Sequence, residues 1–275
     1  VPRHQRGYAT GIVAGVGLSG AIAAVIVGDL FDWRAAYAVG GVMGLLLLLL
    51  RLGVRESGLF REATKSVLAR GRFIQLFATR ERATRYAAIV LVGIPIWYVV
   101  GILITFSPEF GRAMGIDPVP TPARAVMFAY IGLSVGDLAS GWLSQAVGSR
   151  RRVLRWFLTM TSVGVAAYFL PWDKSLAAFY AVCAGLGFAT GYWAVFVTVA
   201  AEQFGTNLRA TATTTVPNFV RGAVVPITSA FQGLTPVFGL IGAGVFVGLV
   251  VLSLAFVALS RLPETHGRDL DFLES

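Results

Sequence analysis

Charge is scarce in this sequence. Asp, Glu, Lys and Arg make up 13% of its 275 residues, about half the share of an ordinary soluble domain. Histidine occurs only as His4 and His266, and cysteine only as Cys183, inside an apolar block. A single thiol excludes an intrachain disulfide. No Cys/His cluster, phosphate-binding loop or nucleophile-elbow motif occurs, so no metal, no cofactor and no covalent catalysis is expected. Period-2 alternation is missing too, which excludes the strands of a membrane barrel.

What is present is apolar. Hydrophobic residues reach 56% and the mean hydropathy is +0.73, gathered in blocks that a soluble core of this size does not need. A bilayer-spanning helix takes about 20 mostly apolar residues. Eight blocks qualify: Tyr8–Val27, Trp33–Leu50, Tyr86–Phe106, Val126–Gln145, Val153–Leu170, Leu176–Ala200, Thr211–Thr235 and Val237–Leu259. The expected fold is all-α membrane, with eight transmembrane helices and the lipid bilayer as solvent. Glycine, 32 residues in all, concentrates in these spans, as close helix approach requires. Gly7, Gly11, Gly15, Gly17 and Gly20 lie near one side of the first span and read as its packing face.

The net charge of +9 suggests nucleic acid in a soluble domain, but here the basic residues sit in short connections between spans. With the N-terminus inside, 18 Lys and Arg fall on inner segments and 4 on outer ones. That asymmetry places both ends of this chain in the cytoplasm, and no nucleic-acid partner is expected. The expected location is the bacterial inner membrane. The chain starts Val1-Pro2-Arg3 with no signal peptide, and is expected to be a piece that lacks N-terminal sequence. The longest connection, about Arg51 to Arg85, mixes Phe60, Val67, Leu68, Phe73, Leu76 and Phe77 with Arg and Lys. This suits either a helix lying on the membrane surface or a solvated linker, and it separates two spans from six.

Four local patterns resemble the major facilitator superfamily. Gly141-Trp142-Leu143-Ser144-Gln145-Ala146-Val147-Gly148-Ser149-Arg150-Arg151 is similar to its loop signature G-x-L-x-D-R-x-G-R-R, with Gln145 and Ala146 replacing the acidic residue and its basic neighbour. The segment Ala201-Glu202 through Arg209-Ala210 resembles the family's connection between spans ten and eleven. Arg55-Glu56-Ser57 and Leu262-Pro263-Glu264-Thr265-His266-Gly267-Arg268 resemble the P-E-S and P-E-T-K-G-R endings of sugar-porter-like members and metabolite:proton symporters. An Arg-to-Glu spacing of 50 residues, Arg6 to Glu56, echoes one of 55, Arg209 to Glu264, as parallel repeats do.

The resemblance implies twelve spans in two bundles, of which this chain holds spans five to twelve; the first four spans are its missing partner. Residues 1–52 are then the last two spans of the N-terminal bundle, and 53–85 the central cytoplasmic loop. Residues 86–262 are the complete six-helix C-terminal bundle and 263–275 a cytoplasmic tail.

Charges inside a membrane cost several kcal/mol unless paired or hydrated, so they mark candidate sites. Arg221 stands 12 residues past Arg209, about 18 Å along a helix and near the midplane. Pro217 and Pro226 bracket it, and Asn218 lies one turn earlier. Asp137 stands roughly 12 Å from the cytoplasmic end; either it titrates in a proton-coupled cycle or it pairs permanently with an Arg of the loop signature. Trp97, Tyr98, Tyr130, Tyr192 and Trp193 lie within spans that, by resemblance, line a central cavity. At the cytoplasmic ends, Glu202, Arg209, Arg150, Arg151 and Glu264, with Arg6 and Glu56 from the other bundle, are candidates for an ion-paired gate; the alternative is solvated charges that set topology only.

These residues describe a secondary transporter moving a small-molecule solute by alternating access, with protons as the expected coupling ion and an organic acid or related polar metabolite as the expected load. Proton-driven drug efflux and a membrane-embedded enzyme are the competing readings. Single cysteines at Ser66, Ser149 and Ser275 should react with an impermeant thiol reagent only from the cytoplasm, and at Ser107 and Ser175 only from outside. Reversed labelling at Ser149 and Ser175 inverts the topology.

Overall fold

Backbone amides in a bilayer have to find partners within the protein, and a helix satisfies them inside one segment. The computed structural model describes residues 6–52, 73–170, 175–267 and 274, with residues 6–11, 13–15, 18, 19 and 52 described for backbone only. Among these residues there are helices and connections and no strand, so the chain is an all-α membrane protein.

Helix α1 (Arg6–Leu30) is followed by α2 (Trp33–Leu52), which Asp32 caps by accepting the Ala35 amide at 2.7 Å. A short 3-10 turn (Phe73–Phe77) leads to α3 (Arg80–Tyr98), where Thr79 accepts the Arg82 amide at 3.2 Å. Pro95 removes a backbone donor inside α3, and the ladder continues as a wider π turn over Val99–Ile104. After the small helix α4 (Ser107–Met114) come α5 (Pro122–Ala146), α6 (Arg150–Phe169), α7 (Leu176–Thr190), α8 (Trp193–Glu202), α9 (Thr206–Gly222) and α10 (Val224–Arg261).

Among the described residues five stretches are long and apolar enough to cross a membrane: Trp33–Arg51, Arg80–Ile104, Pro122–Ala146, Leu176–Glu202 and Thr206–Arg261. The last, 56 residues, is twice a span. It reverses at Gly239, whose φ of +70° and ψ of 170° only glycine adopts readily. The sequence places this turn three residues earlier, at Pro236. Helix α6 is absent from the five because Arg150, Arg151, Arg152 and Arg155 crowd its first turns; it nevertheless packs between α7 and α10.

The tightest packing lies between α5 and α7. A Cβ on Gly132 would overlap the Ala184 carbonyl, and one on Gly136 the Phe188 carbonyl. From the other side, a Cβ on Gly187 would overlap the Ala129 carbonyl, and one on Gly191 the Gly136 backbone. Two small-xxx-small pairs thus bring two backbones into direct contact. By contrast, Gly17 and Gly20, expected to form a packing face on the first span, have nothing within 4 Å of a built Cβ. Helix α1 still packs against α5 and α8, while α2 packs mainly against α1 and leaves Leu45 to Leu50 exposed.

Of the long connection, Phe73–Phe77 docks on the bundle rather than lying free. Leu76 is fully buried and Phe73 stacks on Phe219 of α9 at 5.8 Å. The remaining candidates of that connection, Phe60, Val67 and Leu68, lie outside the described residues.

Because the seam admits no side chain, Gly187→Ala should force the backbones apart, at about 1–3 kcal/mol. Gly185→Ala on the same helix meets nothing within 4 Å and should be neutral. Melting of the purified protein in detergent checks this: Gly187→Ala lowers the transition by several degrees, Gly185→Ala does not.

Candidate functional site

One helix is broken and another is kinked partway along its length, each for a local reason. The stretch Leu176–Glu202, expected as one continuous span, stops at Thr190 and restarts at Trp193, because Gly191 and Tyr192 leave helical geometry. Tyr192, the N-cap residue of α8, makes no capping bond with its own side chain. Asp137 of α5 supplies it instead: Oδ1 accepts the Ala194 amide at 3.1 Å, and the Trp193 amide also bears on the carboxylate. Asp137 is fully buried, and its Oδ2 has no hydrogen-bond partner. The second is a kink and not a break: Ala223, between α9 and α10, keeps right-handed helical geometry (φ −63°, ψ −17°), its amide donates to the Phe219 carbonyl and its carbonyl accepts the Ile227 amide, while Pro226 leaves the Gly222 carbonyl without an amide donor.

The break and the kink meet. Arg221 lies in the last turn of α9 and its side chain is exposed. Its guanidinium carbon stands 5.1 Å from the centre of the Trp193 ring, the first residue of α8. Among the described residues no carboxylate lies within salt-bridge distance of it. Asp137 serves the helix terminus behind Trp193 while Arg221 lies over the ring, and among the described residues Asp137 pairs with no Arg of the loop signature, whose Arg150 reaches Glu202 instead. Tyr130 of α5, half-buried, lies within electrostatic reach of Arg221. Asn218 is exposed on the same face of α9. Trp97 sits on α3 between Gly93, which abuts Val220, and Gly101, which abuts Val224, hence at the depth of Arg221. Its indole N–H is unpartnered.

Tyr98 and Tyr192 are different. Both are fully buried; the Tyr98 hydroxyl donates to the Gly244 carbonyl at 2.7 Å and the Tyr192 hydroxyl to the Val92 carbonyl at 3.0 Å. They bolt helices together and have no donor left for a solute, which corrects their place among the candidate contacts.

At the arginine-rich end, the expected gate residues gather within one bundle. Arg150 reaches Glu202 at 3.5 Å and Ser144 at 2.6 Å, and Thr265 donates to Glu202 at 2.7 Å. Glu264 caps α6, accepting the amides of Arg150 (2.9 Å) and Arg151 (3.2 Å) and the Ser149 hydroxyl. Arg151 donates to the Ser260 carbonyl at 2.7 Å. The cluster therefore ties the ends of α5, α6, α8 and α10 to one another. Arg209 donates to the Ala201 carbonyl at 3.0 Å. The Arg6 side chain and Glu56 lie outside the described residues.

Glu274 was not legible as part of this end. Its carboxylate takes Arg82 at 3.1 Å and Arg85 at 3.0 Å, and its backbone exchanges two 3.0 Å bonds with the Asn207 side chain. An acid separated by about 190 residues from its partners leaves no local pattern to read.

The sequence profile described as Major Facilitator Superfamily matches residues 1–225. The chain is also 24% identical over 276 residues to the "Probable 4-methylmuconolactone transporter" of Cupriavidus pinatubonensis (strain JMP 134 / LMG 1197), an alignment covering 97% of this chain and 64% of that relative. The chain thus spans less than two thirds of the relative's length.

Burial of Glu264 works against its charged form. The Ser149 hydroxyl and the amides of His266, Arg150 and Thr265 outweigh this and hold the carboxyl below the ordinary glutamate range. A depressed carboxyl stabilises the fold at all pH above its unfolded value and loses that contribution as pH falls through the folded one. Glu264→Gln should therefore melt a few degrees lower than wild type near pH 7. The gap should close on acidification below the carboxylate range.

Proposed function

We propose, because this chain belongs to the major facilitator superfamily, that it carries a small organic anion across the membrane as part of a secondary transporter. The observation behind this is the contact of Arg221 with Trp193, the first residue after a broken helix. A guanidinium does not shed its proton, and inside a bundle it requires an anion or water. Discontinuous helices whose termini face one point are how transporters assemble solute sites without long loops. Arg221 offers a bidentate fork to a carboxylate, and the Trp193 and Tyr130 rings offer faces for an apolar or unsaturated body. Trp97 and Asn218 are assigned to the same site by depth and face.

The relative's name, a 4-methylmuconolactone transporter, supports a small oxygen-bearing metabolite as the load. Family membership together with that name argues for transport rather than enzymatic chemistry. We assign α1 and α2 to one bundle and α3 to α10 to the other, with the arginine-rich end cytoplasmic and alternating access by rocking of the bundles, driven by protons. The Glu202–Arg150–Glu264 cluster then acts as a clamp that moves with its bundle as one body.

The test is uptake of small carboxylates and 4-methylmuconolactone by the full-length protein in proteoliposomes, with membrane yield as the folding control. Arg221→Ala should abolish uptake. Arg221→Lys keeps the charge without the fork and should raise the half-saturating concentration about tenfold, worth about 1.4 kcal/mol. Wild-type uptake by Arg221→Ala removes this residue, and the organic-anion reading, from the mechanism.

A further inference from the structure

We infer that Asp137 is the proton-binding group of this transporter, and that it is coupled to the solute site through the N-terminus of α8. The inference rests on the reading of Arg221 and Trp193 as the solute site, and adds what moves them.

Its basis is a cap supplied from a different helix. Asp137 follows Gly136, whose backbone is pinned against Phe188 and Gly191 of the broken span, so the carboxylate cannot drift from the break. One oxygen holds the Ala194 amide and the other is buried and unpartnered. That oxygen is an open position for a proton, in a side chain that solvent does not reach.

Among the described residues the groups around it include no second carboxylate or histidine. On α5 the neighbour toward Arg221 is the phenol of Tyr130. From α6, Thr161 donates to the Phe157 and Ala189 carbonyls, and from α7 Thr190 donates to Leu186 and Gly187. From α1, no charged residue stands between Gly7 and Gly28. From α8 come only the Trp193 and Ala194 amides, and from α9 Arg221, on the Trp193 ring. His266 lies at the arginine-rich end, beside Gly148.

The consequence follows from what a proton does to a cap. The carboxylate binds the positive end of α8 as an anion, with charge-assisted hydrogen bonding. Protonation at Oδ2 removes that charge and leaves a neutral acceptor. The first turn of α8 is then held less firmly, with Gly191 as its hinge, and Trp193 is freed to shift with the guanidinium that rests on it. A solute anion on Arg221 pulls on the same element from the other side. Whatever factor the proton changes in solute affinity, the solute changes in proton affinity. A proton on Asp137 and a monoanion on Arg221 enter together, and the site's net charge is unchanged when both have left.

The experiment needs no solute. Full-length protein with Trp193 as its single tryptophan is titrated from pH 5 to 9 while Trp193 emission is followed. A sigmoid transition is expected in this background, its midpoint shifted in Asp137→Glu and the transition lost in Asp137→Asn. In proteoliposomes Asp137→Asn should lose accumulation driven by an imposed proton gradient. A flat Trp193 titration, an unshifted midpoint in Asp137→Glu, or gradient-driven accumulation by Asp137→Asn overturns the inference. Intact uptake by Arg221→Ala, with the Trp193 transition in place, overturns the solute site instead.

Discussion

Direct contact between the backbones of α5 and α7 is the constraint on which the rest of the described bundle depends. Gly132 and Gly136 on one helix face Gly187 and Gly191 on the other, and a methyl group at any of the four would occupy space already filled by a neighbouring carbonyl or backbone atom. Lipid tails are as apolar as leucine, so helices in a bilayer gain their association from such packing rather than from burial of apolar area. The seam also sets where the span Leu176–Glu202 is interrupted. Gly191 lies against Gly136, and Asp137, the next residue along α5, arrives at the amides that the interruption exposes.

An interrupted helix in a membrane leaves backbone groups that water cannot satisfy. At the break a carboxylate takes them up. At the kink, Pro226 has no amide to offer the Gly222 carbonyl, and α10 follows α9 after a single turn residue in helical geometry. The break leaves a positive helix end at Trp193, and Arg221 lies on that residue's ring. A cation there is favoured by the ring face. The same logic at the arginine-rich end serves rigidity. There Glu264 caps α6 and Glu202 holds Arg150, so four helix ends and the start of the tail share one hydrogen-bonded cluster.

Much of this was legible because it is local. Apolar blocks of about 20 residues gave the spans. Arg221 stood out because a charge surrounded by apolar residues is conspicuous in one dimension. Tyr98 and Tyr192 were misread for the same reason. A tyrosine in a span looks available until the carbonyl its hydroxyl meets is known, and Gly244 and Val92 lie about 100 or more residues away.

The sequence by itself determined that this is an all-helical membrane protein, roughly where its helices run, and which few polar residues they carry, since hydropathy and helix length act within one segment. Partnership was decided only by the tertiary structure. That Asp137 holds the start of α8 and not Arg221, that Arg221 lies on Trp193, and that Glu274 returns to Arg82 and Arg85 all depend on how closely α5 and α7 approach and where one span breaks. Those distances follow from side chains that are absent, the glycine hydrogens along the seam, and their effect exists only once a second helix is there to fill the space.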